Sequence, residues 1–179
     1  MNKEVKNKKN LFADLDGTLI KTKSGETFPK GIWDMEFRFE VLDAIKKLKP
    51  LALLIVSNQG GVESGFVNRR NFEFKMEYII RSIKEYTGSF VEYSCCYSND
   101  NNNQYRKPNT GLLGSLFYRV QTKWFNGEHI TYDEDYLMIG DASGKEGQFS
   151  DTDKKTAENF GIDYLDVDDF VKLVNNEYD

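Results

Sequence analysis

Leu51-Ala52-Leu53-Leu54-Ile55-Val56, followed by Ser57-Asn58-Gln59-Gly60-Gly61, is the stretch on which the fold turns. Six apolar residues in a row, with no polar alternation, predict a strand buried on both faces, as strands of parallel sheets are. The polar glycine turn behind it ends the strand at once. Upstream, Val41, Leu42, Ile45 and Leu48 recur at helical spacing from Glu36 until Pro50 stops them. Before that, Lys21 to Lys30 reads as loop, and Leu11-Phe12-Ala13 is a short buried strand that ends at Asp14 and is turned by Gly17-Thr18.

Downstream the pattern repeats. A helix carrying Phe72, Met76, Ile79, Ile80 and Ile83 closes at Thr87-Gly88, and Phe90 to Tyr97 gives the next strand. A polar loop, Asn99 to Gln104, leads to Arg106-Lys107-Pro108. Then follow a helix with Leu112, Leu113, Leu116, Phe117 and Val120, and a strand from Tyr136 to Ile139 running into Gly140-Asp141. Ser150 or Thr152 opens a further helix through Phe160, and Ile162 to Leu165 makes a last short strand before a C-terminal helix. Strands alternating with helices imply βαβ units, so the expected fold class is α/β with a doubly wound, mostly parallel sheet.

The chain has 179 residues, which suits one domain: residues 1–10 are expected as a flexible basic leader and 11–179 as a single domain. Thirteen Phe and ten Tyr exclude general disorder. No apolar run approaches the length of a membrane span, and no long apolar signal core follows the lysine-rich opening, so an intracellular protein without membrane association is expected. Cys95 and Cys96 are adjacent, a spacing that suits neither a disulfide framework nor a structural zinc site; reduced thiols in a strand are expected. The net charge of −5 conceals a division, since residues 1–132 hold 20 basic and 15 acidic groups and residues 133–179 hold 4 and 14. The sum therefore does not exclude a polyanionic partner.

In a doubly wound sheet ligands bind beyond the carboxyl ends of the strands. That rule selects Asp14 to Thr18, Ser57 to Gly61, Arg106 to Pro108 and Gly140 to Asp153. Asp14 and Asp16, two apart, share a face on an extended backbone, and together they repel. A divalent cation relieves this, and Mg²⁺ characteristically binds through one or two carboxylates, waters and a substrate phosphate; Asp141 offers a further anionic ligand. With phosphate bound, one oxygen of an Asp can ligate while the other attacks phosphorus, and Asp16 can donate a proton to the leaving oxygen and later deprotonate water. Ser57 and the backbone N–H groups of Asn58 to Gly60 can hold phosphoryl oxygens. Lys107, held extended by Pro108, suits a fixed ammonium aimed at the transferring group, and Asp153 either orients Lys107 or extends the metal shell.

Neighbouring signals fail. Asp14-x-Asp16-Gly17 is no calcium loop, because Gly17 comes two places too early and position twelve is Gly25. Gly140-Asp-Ala-Ser-Gly144-Lys145 is one residue short of a nucleotide-binding loop, and Glu146 replaces its Ser/Thr. His129, the sole histidine, has no nucleophile beside it and is expected to be a surface or structural residue.

Phe12-Ala-Asp-Leu-Asp-Gly-Thr-Leu19, Ser57-Asn-Gln-Gly60, Tyr105-Arg-Lys-Pro-Asn-Thr-Gly111, Ile139-Gly-Asp-Ala-Ser-Gly144 and Phe149-Ser-Asp-Thr-Asp-Lys154 resemble the ordered motifs of haloacid dehalogenase-like phosphatases. Within that superfamily the later motifs are similar to the phosphatase domain of polynucleotide kinase 3′-phosphatases, over roughly Leu11 to Phe170. The resemblance implies Asp14 as nucleophile and Asp16 as general acid and base. It also implies Mg²⁺ on Asp14, the carbonyl of Asp16, and Asp141, with Ser57 and Lys107 on the phosphoryl group and Asp153 at the last acidic position.

The implied activity is removal of 3′-terminal phosphate from DNA, or RNA, for strand-break repair, by a stand-alone phosphatase lacking the kinase half and working alongside a separate kinase or ligase. Thr18, Asn58, Gln59, Arg106, Arg69 and Arg70 are expected on the substrate, with Lys75, Tyr105, Lys123 and Trp124 as further cations and rings for a strand end. The segments between motifs leave little room for a cap domain. Histidinol-phosphate and heptose-bisphosphate phosphatases share the Arg-Lys-Pro motif and are the alternative, although the Cys/His loop usual before it is absent from Tyr97 to Tyr105. A catalytically decayed module that binds nucleic-acid ends is a second alternative.

Overall fold

The computed structural model describes residues 5–124, 135–148 and 150–178. Five parallel strands form the central sheet: β1 (Asn10–Ala13), β4 (Ala52–Asn58), β5 (Phe90–Cys96), β6 (Tyr136–Gly140) and β7 (Asp163–Asp166). Their order is β5-β4-β1-β6-β7, with β2 (Ile20–Lys21) and β3 (Glu36–Phe37) set apart as a small antiparallel pair. The central position of β1 follows from its residues, all four of them buried. Leu11 and Phe12 pair with Leu53 and Leu54 on one side and with Leu137 and Met138 on the other.

Alternate side chains divide the core into two layers. Leu11, Ala13, Leu53, Ile55, Leu137 and Ile139 pack with helices α1 (Phe39–Leu48), α3 (Arg69–Thr87) and α6 (Val167–Tyr178). On the other face, Phe12, Leu54, Val56, Tyr136 and Met138 meet α4 (Gly111–Arg119) and α5 (Thr152–Phe160). The doubly wound α/β fold is thus as expected from the sequence. The chain passes from β1 outward through β4 to β5 and then crosses back to β6 on the other side of β1. The order therefore reverses between β1 and β6, and the crevice at their carboxyl ends is the switch point where such folds bind ligands.

Several expectations need correction. Glu36 does not begin the first helix; Ile20 pairs with Phe37 across β2 and β3, and α1 starts at Phe39. Strands of two residues carry too little alternation to be read from sequence. Gly60–Glu63 is a short helix, α2, where a turn was expected, and Val120–Trp124 prolongs α4 as a π turn. Residues 5–10 are not a loose leader: Val5 is buried, Lys9 donates its N–H to the Asp135 carbonyl, and its own carbonyl accepts from Leu51. Lys8 pairs with Asp163, and Lys9 with Asp135 at 2.9 Å. Cys95 and Cys96 lie in β5 as free thiols, with burial pushing Cys95 up to about 12. No helix among the described residues is long and apolar enough to cross a membrane. His129 and Phe149, and the side chains of Lys123 and Trp124, lie outside the described residues.

Candidate active site

Asp14 follows β1 directly, and its N–H donates to the Ile139 carbonyl of β6 at 3.1 Å, so the turn after β1 is fastened to the neighbouring strand. Gly17 then turns the chain at φ +83°, and a side chain there would collide with the Asp141 carboxylate. Only glycine allows both the backbone angle and the close approach. Gly140 does the same service for Asp153, whose carboxylate occupies the space a Cβ would take. These two glycines let Asp14, Asp141 and Asp153 each bring one oxygen within 4.8 Å of the others.

One ammonium lies among them. Lys107 Nζ donates to Asp14 Oδ1 and to Asp153 Oδ1, both at 2.6 Å, and the three side chains are 3%, 10% and 2% exposed. Its backbone is clamped by a single side chain: Asn58 Oδ1 accepts from the Lys107 N–H at 2.9 Å and Asn58 Nδ2 donates to the Lys107 carbonyl at 3.0 Å. The Lys107–Pro108 peptide is cis, and Asn159 donates to the Pro108 carbonyl at 3.0 Å. The Lys107 backbone is therefore held by Asn58 from the end of β4 and, through the Pro108 carbonyl, by Asn159 of α5.

The charges do not balance. Burial disfavours a charged Lys107, but Asp14 and Asp153 outweigh it and hold the ammonium protonated. Burial raises Asp14 well above the usual carboxylate range; Lys107 opposes this, while Asp153, Asp141 and Asp16 add to it. Asp141 is pushed up to about 6, first by burial and then by Asp153. Three carboxylates around one cation leave an excess of negative charge in a desolvated site, the condition that a hard divalent cation relieves. Asp153 fills the first of the roles left open for it, since one oxygen holds Lys107 while the other accepts the Ala142 N–H at 3.2 Å, and the carboxylate also belongs to the cluster with Asp14 and Asp141.

Asp16 is exposed, and its carboxylate lies outside that cluster. Oδ2 accepts from Gln59 Nε2 at 2.6 Å, and the same nitrogen donates to the buried Ser57 hydroxyl oxygen at 2.8 Å. Ser57, Asp16 and the Asp14 group thus meet at the ends of β4 and β1.

The residues expected on a substrate fare differently. Thr18 is fully buried, carried inward by a turn in which Leu19 and Ile20 both donate to the Leu15 carbonyl. The Asn58 side chain is occupied by Lys107, and the Gln59 N–H by the Cys96 carbonyl at 2.7 Å. Arg106 braces the preceding loop, donating to the Ser98 carbonyl at 2.8 Å and to Asn101 at 3.3 Å. Lys75 points into the core side of α3 with Phe72 and Met76 and is buried. Arg69 pairs with Glu73 and lies over the Tyr97 ring at 4.8 Å, while Arg70 lies over Phe74 at 5.6 Å. Both are exposed at the start of α3, as is Tyr105 in its loop, and none of the three belongs to the carboxylate group.

Two supports escaped sequence reading. Arg38 donates to the Gly17 carbonyl at 2.7 Å and to Asp168 and Glu40, locking the turn beside Asp141. Asp166, at the end of β7, accepts from Ser143, Gln148 and Lys145 at 2.6 to 2.8 Å and so holds the loop that follows Asp141. Neither residue lies in a motif; the only hint was the position of Asp166 at a strand end.

The family described as Polynucleotide kinase 3 phosphatase matches residues 9–171. An uncharacterized 20.8 kDa protein of Autographa californica nuclear polyhedrosis virus is 30% identical, covering 89% of this chain and 84% of its own length. The bifunctional polynucleotide phosphatase/kinase of Schizosaccharomyces pombe is 34% identical over 92% of this chain, which spans only 38% of that enzyme. Among solved structures, a HAD-like phosphatase from Mesorhizobium loti superposes with a TM-score of 0.62 at 18% identity, covering 96% of this chain and 88% of that one. The D,D-heptose 1,7-bisphosphate phosphatase of B. bronchiseptica, complexed with magnesium and phosphate, gives 0.57 at 17% identity, with coverage of 94% and 99%.

Proposed function

The chain belongs to the polynucleotide kinase 3 phosphatase family, and from that premise we propose that it is a magnesium-dependent phosphatase acting on 3′-terminal phosphate of DNA or RNA, as in strand-break repair. The observation that carries this reading is the convergence of Asp14, Asp141 and Asp153 around the single ammonium of Lys107 at the switch point of the sheet. Asp14, Asp141 and Asp153 fit a divalent ion, with the Asp16 carbonyl as the further ligand that the resemblance implies. When bound, Mg²⁺ neutralises the excess carboxylate charge and that of the phosphate oxygens.

The protein's own groups then divide the chemistry. A carboxylate oxygen of Asp14 attacks phosphorus, the bond from phosphorus to the 3′-oxygen breaks, and Asp16 protonates that oxygen as it leaves as a hydroxyl. Asp14 now carries the phosphoryl group as an acyl phosphate. Water attacks phosphorus next, giving its proton to Asp16, and the bond to Asp14 breaks to release inorganic phosphate. Lys107 and the Ser57 hydroxyl meet charge on the phosphoryl oxygens, the electrostatic share of the work. The exposed Arg69, Arg70 and Tyr105 suit the nucleotides behind the terminal phosphate.

Incubation with a 3′-phosphorylated oligonucleotide and Mg²⁺ tests the reading, with inorganic phosphate release as the measurement. A sugar or histidinol phosphate is the second substrate arm, favoured by the fold shared with the heptose bisphosphate phosphatase. Turnover of that arm alone would replace the polynucleotide assignment. Tight binding of the 3′-phosphate end with no release would make the chain an end-binding module.

A further inference from the structure

We infer that Gln59 is a positioning residue that couples the acid–base carboxylate Asp16 to the phosphoryl-binding hydroxyl Ser57; the inference rests on the phosphatase reading of the site. Its side-chain nitrogen stands 2.6 Å from Asp16 Oδ2 and 2.8 Å from Ser57 Oγ. An ionised carboxylate only accepts hydrogen bonds, so the Gln59 atom facing it is the nitrogen, and the amide orientation is fixed by its partner. A primary amide has two hydrogens. One goes to Asp16 and the other to the Ser57 oxygen, which leaves the hydroxyl hydrogen of Ser57 for a different acceptor. A phosphoryl oxygen in the crevice is the acceptor that the site is built to receive.

The backbone makes this bridge rigid. The Gln59 N–H donates to the Cys96 carbonyl at 2.7 Å, and its carbonyl accepts from Val62 at 3.1 Å as α2 begins. Asn99 pins the next residue, donating to the Gly60 carbonyl at 2.9 Å, and fills the space beside Gly60 where a Cβ would clash. Ser57 is buried in β4, whereas Asp16 is exposed after β1 and has no other hydrogen bond to its side chain among the described residues. Without Gln59, Asp16 would be a free surface carboxylate, and proton transfer to the leaving oxygen would be lost to solvent orientations. General acid–base assistance depends on that position within hydrogen-bond reach.

A leaving-group comparison separates this role from simple support of the fold. An alcohol leaves poorly unless protonated, whereas nitrophenolate leaves without help. The quantity kcat/KM reports only the steps through phosphoryl transfer, before water attacks. Gln59→Met should lower kcat/KM for a 3′-phosphorylated oligonucleotide by about 100-fold, the low end of what general acid catalysis is usually worth, and for p-nitrophenyl phosphate by only a few-fold. Gln59→Asn, too short to reach both partners, should shift the ratio the same way. In an Asp16→Asn background, Gln59→Met should leave the ratio unchanged, because the group it positions is gone. Equal losses on both substrates, or an unchanged ratio in the single variants, would overturn the inference while leaving the phosphatase intact. Failure of the unsubstituted protein on both substrates would remove the phosphatase reading beneath it.

Discussion

Asp14 and Asp166 both sit at the carboxyl edge of the same sheet, both are buried, and both face a lysine, yet they are held in opposite directions. Asp166 is held down to about 2: burial works against its charge, but Lys145, Gln148 and Ser143 together outweigh it. Asp14 is driven up, because its one lysine is shared with Asp153 and two further carboxylates stand nearby. Donors surround Asp166, whereas other carboxylates crowd Asp14. A satisfied carboxylate is a structural part; one left with too few donors in a desolvated place is poised for a ligand or a reaction. Burial and charge alone therefore do not mark the site; the hydrogen-bond balance does.

The largest effect that separates the two is on turnover. Asp14→Asn removes the proposed nucleophile and should lower kcat by about 10⁴-fold or more. In metal-free buffer it should not lower the thermal midpoint, since it takes one negative charge out of a crowded, buried group. Phosphate release and a thermal melt on the same preparation check both halves. Retained activity would refute the nucleophile assignment, and a lower midpoint would show Asp14 to be as satisfied as Asp166.

This contrast also explains what was legible in the sequence. The strand ends were readable because a buried parallel strand has no alternation, and the apolar runs Ala52–Val56 and Tyr136–Ile139 stop abruptly ahead of polar residues, although Leu51, expected to be buried with them, lies exposed before β4 begins. Asp14, Asp141, Lys107 and Asp153 were found for that reason, and the structure brings them together. The balance of donors was not readable. Asn58 looked like a substrate group, but across 49 residues of sequence it clamps Lys107, and no local pattern encodes such a contact. Thr18 failed likewise, because the direction of a side chain in a tight turn depends on bonds such as Ile20 to Leu15 that composition does not reveal. Arg38 and Asp166 lie outside every motif, and their partners come from distant elements.

The next effect in size is that of the cation. A ligand that binds only the folded state stabilises it by about 2.7 kcal/mol at a concentration 100 times its dissociation constant. Mg²⁺ should therefore raise the thermal midpoint of the unsubstituted protein, and should do so far less for Asp14→Asn or Asp141→Asn. Asp166→Asn should keep the full Mg²⁺ response, because Asp166 only holds the loop behind the cluster. An equal response in all the variants would place the ion elsewhere and erase the distinction between the two carboxylates.

The smallest effect belongs to the satisfied member of the pair. Asp166→Asn exchanges an anion that accepts from Lys145, Ser143 and Gln148 for a neutral amide, one end of which must face a donor; it should cost about 2 kcal/mol at neutral pH. Asp169 shares Lys145 and in turn meets Lys172, so part of the lysine's partnership survives and keeps the loss modest. The sign with pH follows from the lowered carboxylate. Its stabilisation is complete above the ordinary aspartate value of about 3.9 and disappears as pH falls toward about 2, where the folded form also takes up the proton. The gap in stability between Asp166→Asn and the unsubstituted protein should accordingly be constant from pH 7 to about 5 and close below that. Denaturant melts at several pH values measure it. A gap that widened on acidification would mean that Asp166, like Asp14, is held above its usual range, and that the β7 end is a second strained site in place of a brace.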